Sequence, residues 1–354
     1  MPAGTQGENY ADLVALTLNH FQKKDWTDIA IDTQYHTIWP MLITKAKIKY
    51  GSGPQYEFKL RTTQTDATQA VLPYQPITPS VANRFTTGKV PWRHLNTAWA
   101  IEERLIAMNA GQPEQIIDLL KAEEMNAMTS LVEFMEEKGW TKPTDSTSDD
   151  IFGIPYWVVQ NATEGFNGGD PSGFTSGAAE LLVANAPRWK NYSGTYNAVT
   201  RLDLVEKVKK AMYETDFKPP VAYPNMAGVG PSKDPYAGRS RFELFSTYTT
   251  VTQLEQLAEG NNDNMGGELM KFYGRALMHR TPVLPVPFLD DNTSNNPIYG
   301  IDWSWWIPIF LRGEYMKRKT VALEQQHRTI VTHIDNSMNM VCTNRRANFV
   351  LYKA

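Results

Sequence analysis

The sequence has little cysteine, no long apolar run and almost no excess of charge of one sign. Its single cysteine, Cys342, excludes an internal disulfide and a cysteine-based zinc cluster. No window approaches the ~18 uncharged apolar residues of a membrane-spanning helix. The start of the chain lacks the basic and apolar regions of a signal peptide, so we expect synthesis in the cytoplasm. The 35 Lys+Arg and 38 Asp+Glu nearly cancel, which argues against tight, sequence-reading binding of nucleic acid.

Motifs for catalysis and for metal binding are also absent from the sequence. There is no nucleophile elbow, and no His-Glu-x-x-His helix. The glycine-rich segment Gly165–Gly173 lacks the Gly-Lys-Ser/Thr ending of a phosphate loop, and is predicted to be a surface loop. His327 and His333 have no cysteine nearby, so we interpret them as polar strand residues. We therefore predict no catalytic residue, no metal site and no cofactor.

Large rings and chain-breaking residues are abundant instead. The 354 residues include 10 Trp, 16 Tyr and 14 Phe beside 23 Gly and 22 Pro. This length suggests about two domains, and the hydrophobic fraction of 42% is that of a folded protein. The densest cluster is Trp303-Ser-Trp-Trp306. Core packing or subunit contact is the first interpretation, and a sugar-stacking platform is the alternative.

The first hundred residues predict an extended two-stranded arm. Period-two alternation over 41–50 and over Gln55–Arg61 predicts two strands. The Thr/Gln/Pro-rich segment Thr62–Gly88, in which only Asp66 and Arg84 are charged, is too long for an ordinary connection and cannot form a core of its own. Lys89–Ile101 alternates again and predicts the returning strand.

Two amphipathic helices follow. Pro113 and Gly139 bracket the longer one, predicted over 112–138. It has an apolar stripe, and its other face is acidic, with Glu123, Glu124, Glu133, Glu136 and Glu137. The second helix is predicted over 199–214, with its inward face formed by Leu202, Val205, Val208 and Met212.

Strands dominate the rest of the predicted structure. Residues 241–259 predict a strand that leads into a helix, and Thr281–Phe288 predicts a strand interrupted by prolines. Three short strands with turns between them close the chain, over Thr329–Ile334, Met338–Cys342 and Phe349–Tyr352. The predicted class is α+β.

The order of these elements resembles the Hong Kong 97-type major capsid proteins of tailed bacteriophages. The resemblance covers nearly the whole chain and is carried by the order of elements more than by any one motif. It is strongest at five segments: Val90–Arg104, Gln115–Lys121, Leu269–Pro287, Pro297–Phe310 and Asn344–Lys353. Some family members crosslink through a lysine in the extended loop, but Thr62–Gly88 has no lysine. That chemistry is not expected here.

The resemblance implies a division of the chain into an N-terminal arm, an extended loop, a peripheral domain with a long spine helix, and an axial domain. The expected ranges are 1–49 for the arm, 50–103 for the loop, 104–160 and 315–354 for the peripheral domain, and 161–314 for the axial domain. The chain begins almost at the arm, so the N-terminal scaffolding segment of some members is expected to be absent or already removed.

The implied function is self-assembly of a virion shell, without enzymatic activity, in a protein synthesised in the bacterial host cytoplasm. Expected partners are other copies in hexamers and pentamers, a separate scaffold, a portal and a decoration protein. Packaged DNA would be a non-specific neighbour. Candidate subunit contacts are aromatic residues and acidic residues of the spine helix: Tyr74, Phe85, Trp92, Trp99, Glu133, Glu137 and Trp305.

Two other functions remain open at the level of sequence. An encapsulin-like compartment shell would keep the fold and enclose cargo enzymes in place of DNA. A carbohydrate-binding protein would use Trp303, Trp305 and Trp306 as its sugar platform.

Overall fold

The computed structural model describes residues 38–42, 48–62, 85–102, 104, 113–215, 242–259, 277–278, 281–323 and 329–354. Its helices are α1 (Ile38–Leu42), α2 (Pro113–Gly139), α3 (Ile154–Trp157), α4 (Glu206–Thr215), α5 (Tyr248–Glu259) and α6 (Pro287–Asn292). A π-helical turn, Arg201–Val205, leads directly into α4. Leu202 of this turn is 84% exposed, although its spacing predicted an inward position. Short 3-10 turns occupy Trp303–Trp305 and Arg345–Ala347.

Strands form the larger number of elements. They are β1 (Lys49–Gly51), β2 (Gln55–Arg61), β3 (Phe85–Pro91), β4 (Arg93–Glu102), β5 (Gly165–Gly168), β6 (Asn191–Tyr196), β7 (Phe242–Ser246), β8 (Leu277–Met278), β9 (Thr281–Pro285), β10 (Ile298–Asp302), β11 (Trp306–Leu311), β12 (Lys317–Leu323), β13 (Thr329–Cys342) and β14 (Phe349–Lys353). Mixed helices and sheets confirm the predicted α+β class.

The chain divides into two compact units. The described residues of the first unit come from His94–Met135 and Gly313–Asn336. In this unit β12 pairs antiparallel with the first half of β13, and β4 also pairs with β13. The Thr97 hydroxyl donates to the carbonyl of Ala127, 3.4 Å away, which holds β4 against α2.

The second unit comprises the described residues of Tyr35–Arg93, Glu136–Arg312 and Ser337–Ala354. Its main sheet has the order β5-β6-β14-β10-β7-β9-β8. The interior strand β14 runs parallel to β6 and antiparallel to β10. Phe349 and Leu351 of this strand are fully buried, and they belong to a core that also contains Leu204 and Val208.

Local pattern was a good guide to the longest elements. The helix predicted over 112–138 is α2, and Pro113 is its first residue, where a missing backbone N–H costs nothing. The predicted strand Gln55–Arg61 is β2, and the strand and helix predicted over 241–259 are β7 and α5. These predictions are confirmed.

Contacts distant in sequence changed other elements. The strand predicted over 41–50 is wrong at its start, where Met41 and Leu42 belong to the helix Ile38–Leu42; of its described residues, Lys49 and Tyr50 are in a strand. The carboxylate of Glu136 explains the helix, because it accepts from the backbone N–H of Ile38 at 3.0 Å. Glu136 is buried, so the acidic face of α2 is not exposed along its whole length.

The turn predicted at Asp335-Asn336 is also wrong, since β13 continues through both residues. Lys317 of β12 is opposite Asp335, and Phe310 of β11 is opposite Met338. Pairing on both sides of the dipeptide keeps the backbone extended. Two further boundaries differ: β9 ends at Pro285 and Pro287 begins α6, and residues 165–168 of the predicted glycine-rich loop form β5.

Candidate assembly surfaces

The predicted arm is a β-hairpin formed by β2 and β3. Gln55 is opposite Pro91, and the register continues to Arg61 opposite Phe85. Phe58 lies across from Gly88, and a Cβ on Gly88 would approach the phenyl ring of Phe58 to 2.6 Å. Glycine at this position therefore lets the ring lie flat across the hairpin. Among the described strands, β2 and β3 pair only with each other.

The base of the hairpin is fixed to the second unit. The indole Nε1 of Trp92 donates to the carbonyl of Gly53 at 2.9 Å, and only 8% of Trp92 is exposed. The backbone N–H of Lys89 donates to the carbonyl of Ala179, also at 2.9 Å. Ala179 and Glu180 have φ of +55° and +59°. Left-handed backbone is unfavourable for both residues, so packing around this turn maintains it.

The other end of the described hairpin is exposed. Phe85, the first residue of β3, is 67% exposed, and the exposed Arg61 is its partner across the strands. Glu57 and Lys59 are exposed as well. Tyr74, another predicted contact, lies outside the described residues. An apolar ring among charges at the end of a hairpin is available to a second molecule.

Two further predicted contacts, Trp99 and Glu133, belong to the first unit, and both are half-buried. The indole Nε1 of Trp99 and Oε1 of Glu133 are shielded from solvent, and neither has a hydrogen-bond partner in the part of the chain that the structure describes. Shielded polar atoms of this kind are rare in folded proteins, since each one costs free energy. Glu137, on α2, is exposed.

The tryptophan cluster does not form a surface platform. Trp303 and Trp306 are 1% and 0% exposed, and their indole N–H groups donate to Glu243 and Asn348, each at 3.0 Å. Trp305 is half-buried, and its carbonyl accepts from Thr343. Two of the three rings are core residues, so the sugar-stacking interpretation loses its platform.

Sequence reasoning missed a buried arginine in the second unit. The Arg345 guanidinium is fully buried and donates to the carbonyls of Trp157 at 2.7 Å, Trp189 at 2.9 Å and Gly169 at 2.7 Å. It also lies over the Trp189 ring, 5.7 Å from the centroid. One side chain thus joins three segments of chain. The only signal in the sequence was Asn344-Arg-Arg, which is typical of an exposed turn.

Electrostatics around Arg345 follow from its burial. Desolvation lowers the pKa of Arg345 to about 10, so the group remains charged at neutral pH. Burial raises the pKa of the neighbouring Cys342 thiol to about 12, and that of Tyr156 to about 12. Both groups stay protonated and neutral, so this cluster supplies neither a thiolate nor a general base at neutral pH.

Three buried asparagines complete this polar interior. Asn348 accepts from the backbone N–H of Asp302 at 3.0 Å, and Asn191 exchanges hydrogen bonds with the backbone of Val159. Asn339 donates to the carbonyl of Pro91 at 2.9 Å and so contacts the end of β3. Each side chain thus supplies a hydrogen-bond partner to a backbone group that has little access to water.

Metal-binding and ligand-binding features are sparse in the described ranges. No group of three or more His, Cys, Asp or Glu residues is placed there to hold a metal ion. His333 contacts the Asn96 amide at 3.4 Å. A cleft of about 770 Å³ in the second unit is lined by both polar and apolar side chains, among them Gln160, Asn161, Asn295, Val158 and Leu289.

No protein-family model matches the chain, and no curated protein matches it in sequence. Solved structures do match. The chain is similar to the cyanophage A-1(L) capsid asymmetric unit, with a TM-score of 0.59 and 11% identity over 93% of this chain and 96% of that one. The capsid of Myoviridae phage XM1 gives 0.54 and 8% identity, over 95% and 98%. The capsid of an empty GTA particle gives 0.50 and 10% identity, over 93% and 100%.

The chain has the Hong Kong 97-type capsid fold. The resemblance noted in the sequence is confirmed at the level of fold. The β2–β3 hairpin and α2 are the elements that the resemblance implies to be the extended loop and the spine helix. This correspondence stays a prediction, as does the division into arm, loop, peripheral and axial domains at the ranges given above.

Proposed function

We propose that this chain is the major capsid protein of a tailed bacteriophage. Many copies assemble as hexamers and pentamers into an icosahedral head that encloses double-stranded DNA. The observation that carries the proposal is the Hong Kong 97-type capsid fold, which extends over 93% of the chain in the match to the cyanophage capsid. The role is structural and not enzymatic.

The hairpin gives this proposal an independent physical basis. A two-stranded hairpin is marginally stable alone in water, and it normally needs a third strand or a surface that covers one face. The base of β2 and β3 has such a surface, but the end with Arg61 and Phe85 is exposed. A neighbouring subunit would cover this end and remove the Phe85 ring from water.

Trp99 and Glu133 are half-buried, so each side chain keeps an exposed part. We propose that an adjacent subunit covers this part in the shell. Glu137, Trp92 and Trp305 stay candidate contacts on the same grounds as in the sequence.

The small net charge of the chain is compatible with a shell that encloses DNA. A net charge of −3 limits tight, salt-dependent attachment of the shell to the genome, so contact with DNA would be non-specific. None of the described helices is long and apolar enough to cross a membrane. We propose a virion protein, synthesised in the bacterial cytoplasm and assembled with a separate scaffold, a portal and possible decoration subunits.

Negative-stain electron microscopy of the purified chain at high concentration tests the proposal. We expect hexamers, pentamers or closed shells, and compact monomers alone would contradict it. Particles taken from cells then separate the two kinds of shell. Packaged DNA supports a phage head, whereas an enzyme cargo without DNA supports an encapsulin-like compartment. Binding in a glycan screen that is lost in Trp305→Ala would favour the carbohydrate alternative.

A further inference from the structure

The turn that meets the β2–β3 hairpin has an unfavourable backbone conformation. Ala178 and Leu181 pair as an antiparallel bridge, so Ala179 and Glu180 are the central residues of a two-residue turn. Both central residues have positive φ, +55° and +59°, as a type I′ turn requires. Such a turn favours asparagine and glycine, whereas alanine and glutamate are strained in it. Its surroundings must therefore balance this strain.

Buried side chains of the second unit hold one side of this turn. The Tyr156 hydroxyl accepts from the backbone N–H of Ala179 at 2.9 Å. The indole Nε1 of Trp189 donates to the carbonyl of Ala178 at 3.1 Å. Tyr156, Ala178 and Ala179 are each 1% exposed or less. These hydrogen bonds therefore position the turn from within the core of the unit.

Contacts from the hairpin hold the other side of the turn. The backbone N–H of Lys89 in β3 donates to the carbonyl of Ala179 at 2.9 Å. The Lys89 ammonium and the Glu180 carboxylate are 3.7 Å apart, and the two side chains are 40% and 53% exposed. An ion pair this exposed contributes little to stability. The backbone hydrogen bond is therefore the stronger of these two links between the turn and the hairpin.

Two effects of opposite sign act on the position of the hairpin. Phe58 of β2 is 9% exposed, and its ring centroid lies 6.4 Å from that of Trp189. This contact favours a docked hairpin, because release would return the Phe58 ring to water. Strain in the turn favours release, because the turn can relax toward negative φ once the Lys89 hydrogen bond is broken. The docked and released positions are therefore closer in free energy than the apolar contact alone would make them.

The base of the hairpin has its own attachment, which can act as a pivot. The amide of Asn339 donates to the carbonyl of Pro91 at 2.9 Å, and the indole of Trp92 donates to the carbonyl of Gly53 at 2.9 Å. Both hydrogen bonds lie closer to the base than Lys89, which is two residues before Pro91. The base can thus stay attached while the rest of the hairpin moves away from the turn.

We infer that the turn Ala178–Leu181 is a strained latch that sets the balance between a docked and a released β2–β3 hairpin. The docked state keeps both the Lys89 hydrogen bond and the strain, and the released state loses both. The latch decides how often the exposed end of the hairpin, with Phe85, is held in one position. A fixed position lowers the entropic cost of contact with a second molecule. This device belongs to the single subunit, so it does not depend on the proposed function.

Native-state hydrogen exchange of the unassembled subunit, resolved to single amides, tests the latch. Exchange of the Lys89 amide reports release of the hairpin, whereas the Tyr192 amide, which donates to the carbonyl of Asn348, reports opening of the main sheet. In the wild type Lys89 should exchange faster than Tyr192.

Two substitutions at one position separate strain from charge. Glu180→Gly removes the strain from the docked turn and should slow exchange at Lys89 about tenfold. Glu180→Gln, the matched control, removes the charge but keeps the strain, and should change the Lys89 rate by less than about twofold. Ala179→Gly relieves the other strained residue and should also slow exchange. Phe58→Leu reduces the apolar contact that opposes the strain, so it should speed exchange at Lys89.

Each opposite result overturns the latch. Equal rates at Lys89 and Tyr192 in the wild type would show that the hairpin leaves only when the main sheet opens. An unchanged Lys89 rate in Glu180→Gly would show that the turn is equally strained in both positions. An equal effect of Glu180→Gln would assign the change to the lost charge, and no effect of Phe58→Leu would show that only Lys89 fluctuates. Circular dichroism confirms that each variant is folded, and shell formation, measured separately, tests the proposed function alone.

Discussion

The Arg345 cluster and the β2–β3 hairpin place their polar and apolar groups in opposite ways. Around Arg345 a charged side chain is fully buried, and backbone carbonyls of the same chain satisfy its N–H groups. At the end of the hairpin an apolar ring is exposed, with Phe85 at 67%. The first region is complete within one chain, whereas the proposed function requires another molecule to cover the second. The comparison teaches that damage to Arg345 should unfold the subunit, and damage to the hairpin should prevent assembly.

The sharpest test of the first half is Arg345→Met. The substitution leaves the carbonyls of Trp157, Trp189 and Gly169 buried without donors, and we expect a loss of about 3 kcal/mol or more in the free energy of unfolding. Urea denaturation of the unassembled subunit measures it. The control Arg188→Met removes an exposed guanidinium and should change stability by less than about 0.5 kcal/mol. A stable Arg345→Met subunit would break the comparison.

Replacement of residues 62–84 by a two-residue Asn-Gly turn tests the second half. Arg61 and Phe85 are already opposite one another, so a short turn can close the hairpin without disturbing its register. We expect normal urea midpoints and a near-complete loss of shells by negative-stain microscopy. Shells of normal size and yield from this variant would show the extended-loop assignment to be wrong.

Phe85→Asp makes a smaller change in the same region. The ring is mostly in solvent in the single subunit, so its removal should alter the free energy of unfolding by less than about 0.5 kcal/mol. Assembly yield, measured by sedimentation, should fall severalfold, since a charge would have to be buried under the neighbouring subunit. Tyr248→Asp, at a residue 46% exposed on α5, is the matched control. Equal losses from both variants would remove any special role for the hairpin.

The smallest expected effect is a pH dependence that belongs to the π-helical turn. The Asp203 carboxylate accepts hydrogen bonds from Lys207 and from backbone N–H groups, and these lower the pKa of Asp203 to about 2. The unfolded chain binds this proton near pH 4, so the contribution of Asp203 to stability is present above that pH. It is lost as the pH falls toward 2. The stability difference between wild type and Asp203→Asn should therefore shrink from pH 5 to pH 3. A constant difference would contradict the role given to Asp203.

The sequence predicted correctly those elements whose stabilising interactions are between residues close together in the chain. The helix Pro113–Gly139 and the strand Gln55–Arg61 follow from periodicity and from the placement of proline and glycine, and they were correct within a residue. Phe85, a predicted subunit contact, is 67% exposed, and its part in a contact stays a prediction. Leu202 was assigned to the wrong face because a π-helical turn changes the period, and no pattern in the sequence announces that turn.

By itself the sequence determined the class of the protein, its order of elements and the resemblance to capsid subunits, because these depend on neighbours within a few residues. Tertiary structure alone decided three other features: the burial of Arg345, the helix at Ile38–Leu42 under the Glu136 carboxylate, and the uninterrupted β13. Each depends on a hydrogen-bond partner distant in the chain. A charged or turn-forming residue can lie in the core or in a strand only where such partners replace the hydrogen bonds that it would otherwise make to water.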